Sequence, residues 1–128
     1  MKQCCVCKQN KPKLDFGSHS GRTDGKQTYC KACSKAEQTK WYYKRKYGIT
    51  LEERNLMLAS QGYKCKICLS DIEFFDGVRA ARTGESAVID HCHGSGEIRG
   101  VLCGHCNTGI GALKDNIDSL KRAIEYLT

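Results

Sequence analysis

The sequence predicts a small α+β protein whose fold is stabilised by zinc, and three observations support this class. The chain has 128 residues, enough for one domain with a modest core or for two metal-stapled modules, and we expect the second. Ten residues are cysteines, and eight of them form four C-x-x-C units. Short β-branched segments and longer segments with apolar residues at helical spacing indicate both strands and helices. The four units are Cys4/Cys7, Cys30/Cys33, Cys65/Cys68 and Cys103/Cys106.

Cysteine pairs at this spacing are typical zinc ligands, because two thiolates separated by two residues can bind the same ion. One C-x-x-C unit would also fit a redox pair or a chance occurrence, but four units in so short a chain favour metal binding. The chain shows neither a secretory leader nor an apolar run of about twenty residues, so we expect a cytoplasmic protein with no membrane partner. Reducing conditions in that compartment favour thiolate–metal bonds over disulfides.

Residues 1–34 are predicted to form an N-terminal zinc ribbon or knuckle. The segment between its two cysteine pairs is rich in Gly, Lys and Ser and has few apolar residues. Metal binding must therefore supply most of the folding free energy of this module. Cys5 is interpreted as a spare thiol, since the spacing from Cys5 to Cys7 is not a standard ligand spacing, whereas that from Cys4 to Cys7 is.

A basic, aromatic linker helix is predicted over residues 35–48, because this stretch lacks internal glycine or proline and ends at Gly48. Residues 1–48 carry twelve Lys or Arg against three acids, a net charge of +9, whereas residues 49–128 carry nine against eleven, a net charge of −2. A polyanion is the expected partner, with basic groups neutralising phosphates while the rings stack. The alternative is a solvated linker helix whose aromatic rings dock on the zinc modules. The substrate-binding residues predicted here are Lys40, Trp41, Lys44, Arg45 and Lys46.

Residues 49–128 are predicted to form a second domain that begins with a short helix. Thr50 can cap this helix, Glu53 can reach back to complete a capping box, and Gly62 ends it. Residues 71–86 are expected to form a loop or an irregular hairpin. The segment AVID is a candidate strand, and IRGVL is its expected hairpin partner across the glycine-rich HGSG turn.

The closing segment NIDSLKRAIEYL predicts an amphipathic helix. Core packing is the favoured role for its apolar stripe, and a dimer face is the alternative. The stripe consists of Ile117, Leu120, Ile124 and Leu127.

Four groups with the chemistry of an active site remain after the zinc ligands are assigned. Cys103 and Cys106 can complete a four-sulfur site with the Cys65/Cys68 pair, so that zinc is coordinatively full and structural. The oxygen donors among the remaining groups suit a hard ion such as Mg²⁺ or Mn²⁺, and a neutral imidazole can act as a general base near neutral pH. The remaining groups are Asp90, His91, His93 and Asn107.

Strict strand alternation would place Asp90 and His91 on opposite faces of the hairpin. The two side chains can converge only if the strand ends or bends there, which Gly94 and Gly96 would make easy. Taken singly, each of the four groups has an ordinary structural interpretation as a turn residue, a surface group, a zinc ligand or a helix cap. Their combination at this spacing favours catalysis.

These residues also carry a family resemblance. The run DHCHGSGEIRGVLCGHCNTGIGALKDNIDSLKRAIEYL, with the upstream GYKCKIC, resembles the phage recombination endonuclease VII family of the HNH, or ββα-metal, nucleases. The resemblance covers roughly residues 47–128 and rests on the combined pattern C-x-x-C, D-H-x-H and R-G-x-L-C-x-x-C-N. The N-terminal module, with its KPKLDF and paired cysteines, resembles the small zinc ribbon found ahead of such domains in phage and prophage proteins.

The resemblance implies a treble-clef-like ββα-metal core with flanking helices, acting as a DNA endonuclease in a bacterium or a phage-infected cell. Asp90 and Asn107 would coordinate one catalytic Mg²⁺ or Mn²⁺, which would bind the scissile phosphate and steady the departing 3′ oxygen. His91 would take a proton from the attacking water, His93 would orient the phosphate or the water, and Arg99 would pair with phosphate oxygens. The expected products carry 5′-phosphate and 3′-hydroxyl ends.

One departure from the family pattern concerns the metal site. The founding junction-resolving enzyme has an acidic residue three positions after its motif asparagine, whereas Ile110 stands there in this chain. Duplex, nicked and branched DNA all remain possible substrates, and the protein could act as a homodimer. The competing hypothesis is a non-catalytic, zinc-binding regulator that binds DNA or RNA.

Overall fold

The computed structural model of the protein describes residues 1–75 and 84–128. Within these residues the backbone forms short antiparallel strands and four α-helices, which confirms the small α+β class. The chain divides into two compact units, Met1–Gly48 and Ile49–Thr128. Across the two described ranges, every helix falls short of the length and apolar character that crossing a lipid bilayer requires.

The first unit consists of two small antiparallel hairpins followed by a long helix. The first hairpin flanks the turn with the first cysteine pair, where Lys8 has a left-handed φ of 61° and donates to the Cys4 carbonyl oxygen at 2.9 Å. The second hairpin pairs Phe16 with Cys30 and has a register shift between Phe16 and Ser18. The elements are β1 (Lys2–Gln3), β2 (Asn10–Lys11), β3 (Phe16–Ser18), β4 (Lys26–Cys30) and α1 (Lys31–Tyr47).

The hydrophobic core of the first unit is very small. Phe16 is its one buried aromatic ring among the described residues, at 1% exposure, and it packs with two buried cysteines. A core of this size buries too little apolar surface to stabilise a fold alone, so bonds from sulfur to a metal are the natural supplement. The cluster consists of Cys4, Phe16 and Cys30, with Cys7, Tyr29 and Cys33 partly buried against it.

Helix α1 begins directly after Cys30, four residues before the predicted start of the linker helix at residue 35. Cys30 is the N-cap residue, and Cys33 therefore lies in the first turn of the helix. The helix ends where the sequence predicted, because Gly48 adopts a left-handed φ of 71° and its N–H reaches the Lys44 carbonyl oxygen at 3.0 Å.

The second unit has one antiparallel hairpin, a helix before it and two helices after it. The hairpin joins the two predicted segments, which confirms the pairing of AVID with IRGVL. Its buried apolar side chains include Leu58, Ile89, Val101 and Leu102. The elements are α2 (Leu51–Ser60), β5 (Ala87–His91), β6 (Ile98–Cys103), α3 (Gly104–Ala112) and α4 (Ile117–Leu127).

The predicted start of helix α2 is confirmed. The Thr50 hydroxyl accepts a hydrogen bond from the Glu53 backbone N–H at 3.1 Å. The helix ends at Ser60, with Gln61 as its C-cap and Gly62 in a left-handed conformation just beyond.

Helix α4 departs from expectation, since the prediction that its apolar stripe packs in the core is wrong for three of four residues. Ile117, Ile124 and Leu127 are 67%, 64% and 83% exposed, and Leu120 is half-buried. The amphipathic pattern produced a helix, but these three apolar side chains are not covered by the part of the chain that the structure describes.

The predicted loop or irregular hairpin over residues 71–86 is described only at its two ends. Lys64 pairs with Asp71, and Glu73 pairs with Ser86, through isolated β-bridges. Residues 76–83 lie outside the described part of the chain.

Candidate functional site

The four sulfur atoms predicted to form the first zinc site converge in the first unit. They lie within 4.8 Å of one another, and the Sγ atoms of Cys4 and Cys33 are 3.8 Å apart. Four sulfurs held tetrahedrally about 2.3 Å from zinc would be roughly 3.8 Å from each other, so the group could hold this ion. Cys5, predicted to be spare, is exposed and lies outside the group. The members are Cys4, Cys7, Cys30 and Cys33.

A second four-sulfur group in the second unit links the end of the hairpin to the helix that follows it. The Sγ atoms of Cys68 and Cys103 are 3.8 Å apart. Cys103 ends β6 and is the N-cap of α3, where its sulfur accepts a hydrogen bond from the Cys106 N–H at 3.3 Å. A zinc ion here would fix the direction in which α3 leaves the hairpin. The members are Cys65, Cys68, Cys103 and Cys106.

The thiols within each group differ in acidity. Burial opposes ionisation of Cys4, but hydrogen bonds from backbone N–H groups outweigh it and lower the pKa of this thiol to about 6. A hydrogen bond with the Ser70 hydroxyl is the main reason that the pKa of Cys68 is also lowered to about 6. The pKa of Cys33 is raised to about 12, chiefly by its hydrogen bond with Cys30. Full ionisation of four such close sulfurs therefore requires a cation among them.

Gln61 and Gly100 align the hairpin with α2, and sequence reasoning missed both. The Gln61 side chain donates to the Val101 carbonyl oxygen at 2.8 Å and accepts from the Val101 N–H at 2.9 Å. Gly100 has a φ of 156°, and a Cβ atom there would lie 3.0 Å from Lys66 Cδ and 3.2 Å from Gln61 Oε1. Only glycine fits this position without displacing its neighbours.

The hairpin is irregular at the position where the candidate catalytic residues lie. Asp90 is opposite Gly100 and His91 is opposite Ile98, which leaves Arg99 as an extra residue in β6. Such a bulge increases the local twist and redirects neighbouring side chains, and bulges are frequent beside active sites. The sequence predicted a bend here but placed it at the turn glycines, whereas the irregularity lies on the opposite strand.

Asp90 is engaged by a cationic side chain. It is 7% exposed, and its two carboxylate oxygens accept hydrogen bonds from Arg99 Nε at 2.8 Å and Nη2 at 2.9 Å. The hydrogen bonds with Asp90 are the main reason that the pKa of Arg99 is raised. A carboxylate and a carboxamide are suitable oxygen donors for a hard divalent cation, but the positively charged guanidinium of Arg99 competes with such a cation for the oxygens of Asp90.

A second carboxylate, Asp115, also contacts Arg99. Its Oδ2 atom lies 3.2 Å from Arg99 Nη2 and 3.4 Å from His93 Nδ1, and its side chain is 22% exposed. Asp115 belongs to the short link between α3 and α4, in the turn-forming segment KDN. Its sequence context indicates only a turn, so the contact with the hairpin could not be read from spacing.

The two histidines of the D-H-x-H pattern lie close together. His91 is the last residue of β5 and is half-buried, whereas the side chain of His93 is 75% exposed. Their ring centroids are 4.9 Å apart, with an angle of 47° between the ring planes. One imidazole therefore projects from the last residue of the strand, while the other faces solvent.

Asn107 is half-buried in the first turn of α3, one residue after Cys106. Helix α3 packs against both strands of the hairpin that carries Asp90 and His91. The second sulfur group thus positions the start of the helix that presents the carboxamide.

The predicted substrate-binding residues of α1 are largely exposed. Trp41 is 64% exposed and Tyr42 is 46% exposed. Lys46 is engaged within the helix, because its Nζ atom contacts the Tyr42 hydroxyl at 3.0 Å and lies over the Tyr42 and Tyr47 rings. The exposed cations of the predicted set are Lys40, Lys44, Arg45 and Lys46.

Comparison with known proteins identifies two relatives encoded by phages. The chain is 40% identical over 82 residues to the Gene 59 protein of Mycobacterium phage D29 and 39% identical over 82 residues to the Gene 59 protein of Mycobacterium phage L5. Each match covers 63% of this chain and 44% of the relative, so the chain spans less than half the length of these relatives.

One solved structure is also similar, that of the beta-beta-alpha-Me type II restriction endonuclease Hpy99I. It is 28% identical and is matched over 97% of this chain and 63% of its own, with a TM-score of 0.39. The sequence profile of recombination endonuclease VII matches residues 39–128, which include the second four-sulfur group, the hairpin and both following helices. The chain therefore belongs to the recombination endonuclease VII family.

Proposed function

We propose that the protein is a metal-dependent DNA endonuclease that hydrolyses phosphodiester bonds and leaves 5′-phosphate and 3′-hydroxyl ends. Membership of the recombination endonuclease VII family supports the class of reaction. The observation that carries the proposal for this chain is the bulged hairpin, which carries a buried carboxylate and a half-buried imidazole and ends at Cys103, a member of the second four-sulfur group.

Asp90 and Asn107 are the residues proposed to hold one Mg²⁺ or Mn²⁺ ion. They come from β5 and α3, two elements that pack against each other. When bound, such an ion supplies positive charge that stabilises the phosphate oxygens and the leaving 3′ oxygen. The two sulfur groups would hold structural zinc, which keeps these elements in place.

His91 is proposed as the general base that accepts a proton from the attacking water. Imidazole is the side chain best suited to this task near neutral pH. It lies at the end of β5, directly after Asp90 and opposite Ile98, at the position where the hairpin register shifts. His93 and Arg99 are proposed to orient the scissile phosphate. The His93 side chain is exposed, and the Arg99 guanidinium can donate hydrogen bonds to two phosphate oxygens.

Helix α1 is proposed to bind DNA through contacts with the phosphates and bases of the DNA. Lys40, Lys44 and Arg45 are exposed along this helix, and Trp41 offers a ring on which a base can stack. Lys46 is assigned the same role, although its ammonium group also contacts Tyr42. Duplex, nicked and branched DNA are the proposed substrates, and a homodimer would allow both strands to be cut.

Plasmid nicking tests this proposal. Supercoiled plasmid incubated with the zinc-loaded protein and Mg²⁺ should be converted to the open circle, and omission of the divalent cation should prevent conversion. His91→Ala should lower the rate by roughly 10²- to 10⁴-fold, the usual contribution of a positioned general base. His105→Ala is the matched control, because His105 is exposed in α3 and has no proposed role. Unchanged turnover in His91→Ala would refute the assignment of the base.

One observation favours a second candidate, a zinc-binding regulator that binds nucleic acid without cleaving it. Both carboxylate oxygens of Asp90 accept hydrogen bonds from Arg99, an arrangement that also serves as a structural ion pair in the hairpin. A regulator should retard DNA in an electrophoretic assay in Mg²⁺ and yet leave the plasmid supercoiled.

A further inference from the structure

We propose that Asp115 is a positioning residue that holds the Arg99 guanidinium and thereby frees Asp90 to bind the divalent cation. This role deepens the proposed function and rests on it. Asp115 lies between α3 and α4, far along the chain from the D-H-x-H pattern, and touches the hairpin only through the tertiary fold.

One nitrogen atom of Arg99 joins the two carboxylates. Arg99 Nη2 is 2.9 Å from Asp90 Oδ1 and 3.2 Å from Asp115 Oδ2, while Nε is 2.8 Å from the other oxygen of Asp90. A small rotation of the guanidinium toward Asp115 would release Asp90 and keep one ion pair intact. Without Asp115, the same release would leave the guanidinium without a carboxylate partner among the described residues, and this would make cation binding at Asp90 less favourable.

The backbone that carries Asp115 is held in a sparsely populated conformation. Lys114 and Asp115 are consecutive non-glycine residues with left-handed φ values of 58° and 53°. Hydrogen bonds from their N–H groups to the carbonyl oxygens of Gly111 and Ile110, both 2.9 Å, maintain this conformation. Left-handed residues of this kind are common at the carboxyl end of a helix, and here they fix the direction in which the Asp115 side chain leaves the backbone.

Asp115 also contacts the second histidine. Its Oδ2 atom is 3.4 Å from His93 Nδ1, so a proton on that nitrogen would be directed toward the carboxylate and Nε2 would be left to face solvent. One carboxylate thus contacts both side chains that the proposed reaction assigns to the phosphate.

Binding of Mn²⁺ to the intact, zinc-loaded protein, measured by isothermal titration calorimetry, tests this role without relying on turnover. Asp115→Asn keeps the size of the side chain but removes its charge, and it should weaken Mn²⁺ binding about tenfold, the scale of one charge-assisted hydrogen bond. Arg99→Met keeps the apolar stem and removes the competing cation, so it should tighten binding about tenfold. Asp118→Asn is the matched control, since Asp118 is an exposed acid in the first turn of α4, and it should leave binding unchanged.

The double variant Asp115→Asn/Arg99→Met decides between positioning and direct ligation. If Asp115 acts through Arg99, the double variant should bind Mn²⁺ as tightly as Arg99→Met alone. Equal weakening by Asp115→Asn in both backgrounds would mean that Asp115 ligates the cation or only supports the fold, and this would overturn the inference while the nuclease function stands. Failure of the wild-type protein to bind Mn²⁺ would refute the proposed cation site and, with it, this inference.

Discussion

The two units of the molecule share one structural plan but differ in the side chains that it presents. In each unit the first cysteine pair lies in a turn, and an antiparallel hairpin follows it and ends in a cysteine. That cysteine is the N-cap of the next helix, and the last cysteine of the group lies in the first turn of this helix. The turns match in detail, since Cys4 N bonds Gln9 O at 3.0 Å and Cys65 N bonds Ser70 O at 2.9 Å. Two different sequences thus adopt similar backbones around their four-sulfur groups.

The chemistry of the two units diverges at equivalent positions. Phe16 pairs with Cys30 in one hairpin and Ala87 pairs with Cys103 in the other. His19 lies three residues after Phe16 in the first unit, and Asp90 lies three residues after Ala87 in the second unit. After the last cysteine the first unit has Ser34 where the second has Asn107. The same scaffold thus accommodates different side chains, and under the proposed function catalytic capacity would depend on a few residues at the end of the hairpin and the start of the helix.

The largest expected difference between the units concerns their cysteines. Cys103→Ser should remove the second metal and abolish plasmid nicking, because structural zinc contributes about 10–16 kcal/mol to small metal-dependent folds. Cys4→Ser should remove the first metal, preserve the secondary structure of the second unit and retain nicking at high protein concentration. Zinc content by atomic absorption and circular dichroism would report both effects. Cys5→Ser should retain full zinc content, and loss of an ion from this control would contradict the assignment of Cys5 as spare.

The hairpin irregularities provide a second contrast. Gly100→Ala should lower the free energy of unfolding by about 1–3 kcal/mol, because the new Cβ would press on Lys66 and Gln61 in a backbone conformation that favours glycine. Gly17 lies at the register shift of the first hairpin, where a Cβ would be 3.5 Å from Gln27 Cγ, an ordinary contact. Gly17→Ala should therefore change stability by less than about 0.5 kcal/mol. Urea denaturation of the zinc-loaded variants measures both values, and equal losses would contradict the difference between the hairpins.

The charge asymmetry of the units predicts different roles in DNA binding. The logarithm of the DNA association constant falls linearly with the logarithm of the salt concentration, with a slope of about −0.9 for each duplex phosphate that the protein neutralises. Lys44→Ala/Arg45→Ala removes two such contacts and should make this slope less steep by about 1.8. Lys121→Ala/Arg122→Ala removes the same charge from α4 and should leave the slope nearly unchanged. Fluorescence anisotropy at several salt concentrations gives the slopes. Identical slopes for the two double variants would exclude α1 as the DNA-binding element.

The smallest expected effects concern the groups that approach the sulfurs from outside. Lys11 Nζ lies 3.3 Å from the Cys30 sulfur, and the Ser70 hydroxyl lies 3.0 Å from the Cys68 sulfur. Lys11→Met should weaken zinc binding by about tenfold, and Ser70→Ala by less, because the lysine carries a full charge. Competition with a chromophoric chelator would resolve the two affinities. A larger loss from the serine variant would contradict this ranking.

The local features of the sequence were predictive because each depends on residues close together in the chain. The Thr50 cap, the Gly48 stop and the hairpin before Cys103 all follow from short-range hydrogen bonding and backbone preference, and all are confirmed. The apolar stripe of α4 shows the limit of such reasoning. Periodicity predicts an amphipathic helix correctly, but whether a surface exists to cover Ile124 depends on the size of the rest of the unit.

The sequence by itself determined the four cysteine pairs, their division into two groups and the candidate residues Asp90, His91 and Asn107, because ligand spacing and residue type are local properties. Only the tertiary structure decided that Arg99 pairs with Asp90 and that Asp115 meets both Arg99 and His93. Those interactions join residues from separate elements, and their geometry is set by a bulge and a left-handed link that spacing along the chain does not encode.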